Sequence, residues 1–172
     1  MIDQLAFLLV NSNRVTDRHV FLLQRVQPAM VGLIDGSLST LAPIFSVALI
    51  SHKPFYAFIA GLATSIGAGI SMAFSEGLSD TGELTGRGSP VIRGGITGIG
   101  TFIGGILHSL PFLIPRYHAA LVLALVVVAF ELVALAALRW RFFGTSFTGS
   151  LAVVSLAGAV IVGVSALLGA KA

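Results

Sequence analysis

Five apolar runs, each about as long as a bilayer is thick, leave this chain one way to satisfy its backbone. They fall at 28–50, 55–78, 92–114, 119–138 and 147–169, close to the roughly 20 residues that a helix needs to span hydrocarbon. Water does not reach backbone groups there, so only helices or closed barrels serve, and the strict alternation of barrel strands is missing. The sequence therefore predicts an all-α membrane protein, a bundle of five transmembrane helices. Charge agrees: only 10% of the 172 residues are charged and 56% are hydrophobic, too few charges to cover a water-soluble fold of that size. The breaks between runs carry turn chemistry: Ser51 to Pro54, then 79–91 with Gly82, Gly86, Gly88 and Pro90, then Ile114 to Tyr117, then 139–146.

Basic residues orient the bundle. With the N-terminus inside, the inner side holds Arg14, Arg18, Arg25, Arg87, Arg93, Arg139 and Arg141, and the outer side Lys53, Arg116 and Lys171. That asymmetry predicts a cytoplasmic N-terminus and an external C-terminus. Residues 1–27 do not read as a cleavable signal, because Asp3 stands where a positive region belongs. On a helical wheel Arg14, Arg18 and Arg25 share one face and Val15, Leu22, Leu23 and Val26 an adjacent one. The expectation is a short amphipathic helix on the inner leaflet, ahead of a transmembrane domain at 28–172. A soluble helix packed on the cytoplasmic loops is the alternative. Cysteine is absent and the net charge is +3, so thiolate chemistry is excluded and nucleic-acid binding has little support.

Within the first run, MVGLIDGSLSTLAPIF, stands Asp35. An acid at that depth costs about 2.5–3.5 kcal/mol on insertion scales, so it calls for a partner, a cation or a water-filled cavity. Met72 lies at a similar depth on the second run, with Glu76 one turn nearer the cytoplasm on the same face and Asp80 one turn beyond. Glu131 on the fourth run falls in the layer of Asp35 and Met72. A thioether beside carboxylates suits a borderline ion such as Fe²⁺ better than Mg²⁺ or Ca²⁺. His108, in the outer half of the third run, is placed to relay protons or take a metal. Each has a plainer reading: Glu76 solvated near an interface, Met72 in the core, His108 bonded to a carbonyl freed by Pro111, Glu131 as a helix-to-helix bond, and Asp80 and Glu83 as loop residues. Small residues at four-residue spacing mark the second run (Ala63, Gly67, Ser71, and Gly61, Ser65, Gly69) and the third (Gly94, Gly98, and Gly100, Gly104). They predict close helix packing, within one subunit or across a dimer seam.

GLIDGSLSTLAPIF, GLATSIGAGISMAFSEGLSDTGELTGRGSP and GGILHSLPFLIP together resemble the vacuolar iron transporter family. They are most similar to the membrane half of the erythrin–vacuolar iron transporter fusions, the membrane-bound ferritins. The resemblance runs from Pro28 onward. It implies a five-helix subunit, a homodimer with the pathway at its interface, and proton-coupled export of Fe²⁺, sometimes Mn²⁺, from the cytoplasm. It also implies metal ligands at Asp35, Met72 and Glu76. The connection at 79–91 is short where plant and fungal members carry a glutamate-rich metal-binding domain. Residues 1–27 hold no paired Glu-x-x-His motif of a ferritin-like domain, so the expectation is the bare membrane module.

The reading is a dimeric divalent-metal exporter of a bacterial inner membrane, not an enzyme, with the metal as substrate and no resident cofactor. Asp35 binds the ion and exchanges protons, Met72 and Glu76 coordinate it, and His108 or Glu131 assists proton return, with Asp80 and Glu83 gathering cations. The alternative is a non-transporting membrane subunit or anchor whose buried acids lock helices together. An intramembrane hydrolase is the weakest reading, since Ser109 follows His108 without a G-x-S-x-G elbow. The orientation is testable in a chain without cysteine. A single cysteine at Ser12 should resist impermeant maleimide in intact cells and one beside Lys171 should react; the reverse pattern would invert the topology.

Overall fold

The computed structural model describes residues 17–169, which are helical apart from short connections. Five helices are long and apolar enough to cross a membrane. They are α1 (Asp17–Ser51), α2 (Pro54–Ser79), α3 (Pro90–Leu107), α4 (Tyr117–Phe143) and α5 (Phe147–Gly169).

Two prolines shape α1. Pro28 has no N–H, so the carbonyl of Gln24 loses its helical partner. The backbone takes up the fault as one π turn over Leu22–Val26, in which the N–H of Gln27 reaches back to the carbonyl of Leu22. Arg25 Nη1 donates to the Gln24 carbonyl at 3.4 Å. The described part of the expected amphipathic segment, 17–27, therefore runs unbroken into the first span instead of lying apart on the leaflet. Residues 1–16, with Arg14, lie outside the described residues. Pro43 removes the partner of the Ser39 carbonyl in the same way, and the helix breaks at Thr40 (φ −85°, ψ −13°). The Thr40 hydroxyl donates to the Gly36 carbonyl at 2.8 Å across that break.

The third run was expected to continue to 114, but α3 stops at Leu107. Pro111 cannot donate to the Leu107 carbonyl, so the chain turns at His108 and Ser109 into a 3₁₀ turn, Leu110–Leu113. Ser109 closes the end by donating its N–H (3.0 Å) and its hydroxyl (2.7 Å) to the Ile106 carbonyl. The fourth helix runs past the expected 138 to Phe143, where Gly144 at φ 66° ends it.

The centre of the bundle is α3, and its glycines set the spacing. On one side α1 runs parallel to it: Gly36 lies against the Thr101 carbonyl, and a methyl group on Gly104 would come 2.6 Å from the Leu33 carbonyl oxygen. On the other side α2 runs antiparallel, and a methyl on Gly98 would come 2.6 Å from the Gly69 carbonyl oxygen. The row Gly61, Ser65, Gly69 is thus consumed inside the subunit. The row Ala63, Gly67, Ser71 faces outward, with nothing within 4 Å of a methyl on Gly67.

Leu41, Ile44, Phe45 and Ala48 of α1 pack with Ala57, Phe112, Ala120, Ala124 and Val128 in the half of the bundle where α1 turns into α2. Phe45 meets Phe112 edge-on, ring centroids 6.2 Å apart. Val26, Met30 and Leu135 form a smaller cluster toward the start of α1 and the end of α4. Large apolar side chains such as Phe74, Leu78, Val91, Phe130 and Leu156 are more than half exposed. An exterior this apolar belongs against lipid. Gly36→Ala should destabilise the bundle by roughly 1–3 kcal/mol or more, because its methyl meets backbone that cannot step aside. Gly67→Ala should be neutral or gain up to about 1 kcal/mol. Unfolding in detergent micelles checks both, and equal losses would contradict the assigned packing.

Candidate functional site

Three polar groups of residues occupy the bundle, at different depths. Where α2 ends and α3 begins, Glu76 Oε1 accepts from Arg87 Nη2 at 2.6 Å and from Arg93 Nε at 2.9 Å. Arg93 is fully buried in the first turn of α3. Its Nη2 donates to the Asp80 carbonyl at 2.8 Å and its Nη1 to the Gly88 carbonyl at 3.0 Å. It therefore caps the carbonyl end of α2, where a cation is favoured by the helix dipole. Asp80 ends α2 and turns the chain, accepting from the Gly82 N–H at 2.7 Å and from the Thr85 hydroxyl. The Thr85 hydroxyl first, then the Gly82 N–H and the charges of Arg93 and Arg87, hold the Asp80 carboxyl below its ordinary range. Gln24 of α1 joins this end by donating to the Gly86 carbonyl at 3.1 Å. Two acids and two arginines make the group neutral in sum.

Deeper, Asp35 of α1 and Met72 of α2 line one open groove of about 510 Å³, with Ser39, Leu38 and, from α5, Ile161. Both are half-buried. The ion pairs among the described residues engage Glu76, Asp80 and Glu131, and none reaches Asp35. Among the described residues Asp35 has no ion-pair partner to neutralise it.

The third group is buried throughout. Thr40 Oγ1 lies 2.8 Å from His108 Nε2, and His108 Nδ1 lies 2.9 Å from Glu131 Oε2. Thr40 and His108 are fully buried and Glu131 is 6% exposed. Glu131 Oε1 is buried with no hydrogen-bond partner among the described residues.

The expected constellation is thus divided. Asp35 and Met72 come together. Glu76 does not join them, because its carboxylate is committed to Arg87 and Arg93. Glu131 is not in their layer either, since α4 presents it to His108 at the level of Thr40. Asp80 sits in the arginine network. Glu83 is exposed in the 80–89 connection and bonds to none of these groups. No cluster of three or more His, Cys, Asp or Glu side chains occurs among the described residues, so one subunit offers a metal only a partial ligand set at Asp35 and Met72. Sequence reasoning missed Arg87 and Arg93 as partners and Thr40 as the third member of the His108 group. Arg93 did carry a signal: it lies three residues inside a span, where an arginine calls for an acid. No protein-family model, curated protein or solved structure matches the chain, and the roles of these groups follow from their geometry.

Arg93→Ala should cost about 3–5 kcal/mol, because it leaves the Glu76 carboxylate nearly buried beside one remaining arginine. Adding Glu76→Gln should recover part of that loss. A double-mutant cycle on detergent unfolding measures the coupling, and additive losses would contradict it.

Proposed function

We propose that this chain is the membrane module of a proton-coupled exporter of a divalent transition metal, Fe²⁺ or Mn²⁺. It would work as a homodimer in a bacterial inner membrane, with its N-terminus in the cytoplasm. One observation carries the reading: of the acids in this bundle, Asp35 alone is held in a groove beside a thioether with no base to neutralise it. Glu76 and Glu131 have partners that make them stable residents of a low-dielectric interior. Asp35 is left free for something that comes and goes. Helix locking, the competing reading, accounts for the arginine network and for His108–Glu131 but gives Asp35 no purpose.

Asp35 and Met72 supply one hard and one soft donor from each subunit, fewer than a divalent ion requires. A two-fold contact that covers the groove would duplicate them, and this supports the dimer. The outward row of Ala63, Gly67 and Ser71 on α2 is shaped for such an approach. Two Asp35 carboxylates near one axis repel each other, and a bound dication relieves the repulsion. The ion then leaves when protons take its place. Glu76, in this reading, holds Arg93 at the cytoplasmic end and does not touch the metal.

Asp35→Asn should lower Fe²⁺ or Mn²⁺ transport by at least about a hundredfold while leaving a folded dimer. Even residues behind a metal's ligands are worth about 10–100-fold in affinity or activity, and Asn removes a charged ligand outright. Met72→Leu should lower Fe²⁺ transport more than Mn²⁺ transport, since only the softer ion gains from sulfur. Metal uptake into liposomes containing the purified protein, with and without a pH gradient, checks both. Wild-type rates in Asp35→Asn would sink the assignment.

A further inference from the structure

Thr40, His108 and Glu131 form a chain of buried polar atoms that metal coordination at Asp35 does not use. We propose that His108 and Glu131 together are a one-proton site, separate from Asp35, and that Thr40 reports its occupancy to α1. The proposal rests on the transport reading above, for which it supplies the route of the counter-ion.

Counting hydrogens carries the argument. The Thr40 hydroxyl has one hydrogen, and it goes to the Gly36 carbonyl at 2.8 Å. Its oxygen is then an acceptor, so His108 Nε2, 2.8 Å away, must carry the hydrogen between them. That leaves Nδ1 facing Glu131 Oε2 at 2.9 Å. A neutral imidazole and a carboxylate would set two lone pairs against each other, so one proton lies between them. It sits on Glu131 beside a neutral ring, or on the ring beside a carboxylate, and either way the pair is neutral in sum. A second proton would bury a net positive charge, and losing the one present would bury a net negative charge. One proton is what this site holds.

Both ring nitrogens of His108 are spent on these bonds, so the imidazole has no lone pair for a metal. The chain is a proton device and not a second metal site. No other titratable partner complicates it: His108 is the basic group that meets Glu131, and no third acid or base joins the pair among the described residues. Glu131 Oε1, buried and without a partner, is the atom at which a proton can be delivered or removed.

The site also lies at the break in α1. Thr40 is on α1, His108 ends α3, and Glu131 comes from α4. When the proton passes from the pair to water, Nδ1 and Oε2 must separate. Turning the imidazole away from Glu131 draws Nε2 off the Thr40 hydroxyl. The α1 segment beyond the break, Leu41–Ser51, is then untied from the end of α3, while the segment bearing Asp35 stays clamped to α3 through Gly32 and Gly36. Reprotonation restores the bond.

The test uses the purified full chain in liposomes, with Mn²⁺ as the metal and the lumen more acidic than the bath. Wild type should take up Mn²⁺ faster with the gradient and release protons in exchange. Glu131→Gln should lose both the acceleration and the counterflow. Asp35→Asn should instead lose Mn²⁺ binding itself, read from the Mn²⁺ EPR signal. A Glu131→Gln protein that keeps the counterflow, or that loses Mn²⁺ binding, overturns the proposal.

If wild type moves no Mn²⁺, the transport reading fails and the one-proton site is judged alone by ¹⁵N NMR of histidine-labelled protein. The His108 signals, assigned by their loss in His108→Gln, should show Nε2 protonated and Nδ1 changing in one step that disappears in Glu131→Gln. An unprotonated Nε2, or a step that survives Glu131→Gln, would refute it. Should Glu131→Gln not fold, the double variant His108→Gln, Glu131→Gln replaces it in the liposome assay, because it keeps hydrogen-bonding groups at both positions but holds no titratable proton.

Discussion

The contact of α1 and α2 with the glycine faces of α3 decides where each polar group of this bundle can reach, because it brings three backbones nearly into touch. In lipid the helices gain nothing from hiding apolar surface from water, so close van der Waals contact must hold them. Gly32, Gly36, Gly100 and Gly104 supply it on one side, and Gly69, Gly94 and Gly98 on the other. With the backbones so near, short side chains span the gaps: the Thr97 hydroxyl donates to the Pro28 carbonyl at 3.2 Å, and Thr40 reaches His108. A bundle spaced by leucines would leave those groups apart and unpaired. The polar chemistry therefore depends on residues that have no side chain.

Desolvation then sorts the acids. A carboxylate in a low-dielectric interior is tolerable when a base neutralises it and its oxygens are bonded. Glu76 meets that condition through two arginines, and Glu131 is neutralised by a histidine that shares a proton with it while its Oε1 stays without a partner among the described residues. Both hold helices together, Glu76 where α2 ends and α3 begins and Glu131 at the centre of α1, α3 and α4, and only Glu131 is paired through a proton. Asp35 does not meet it. Its groove opens sideways between α1, α2 and α5, with apolar walls except for Ser39. The same physics that pairs the other two acids leaves this one without an ion-pair partner among the described residues.

Much of this was legible in the residues. Length and apolarity specified five spans, because lipid permits few alternatives, and Asp35 stood out because acids in spans are costly. The partners did not stand out. Which base meets Glu76 depends on a connection, 80–89, whose path is set by positive-φ turns at Gly82, Gly86 and Gly88. Those turns bring Arg87 back over α2, and a sequence read as separate spans places it in a loop. The end of α3 was misjudged for a similar reason. Hydropathy runs smoothly through His108 to Leu113, and only Pro111 betrays that the helix must stop. Small-residue spacing marked close packing without saying which row would be used: Gly61, Ser65 and Gly69 went inside, and Ala63, Gly67 and Ser71 outside.

The two prolines of α1 tie these features into one device. Pro28 and Pro43 each delete one backbone donor, and the faults bracket the segment that carries Asp35. That segment is fixed to α3 by glycine contacts, while the piece beyond Thr40 is held to α3 by the bond to His108. Asp35 precedes Thr40 by five residues, about 7.5 Å of helix rise. Two unit charges about 10 Å apart interact by about 1.7 kcal/mol at an effective dielectric of about 20, and a divalent ion doubles that. If a metal binds at Asp35 as proposed, a proton at His108–Glu131 becomes easier to lose, and a proton there weakens the hold on the metal. Couplings of this size lie within the range by which separate sites in proteins influence one another. Electrostatics across five residues is enough to make the two cations exclude each other, and exclusion is what exchange of a metal for protons requires.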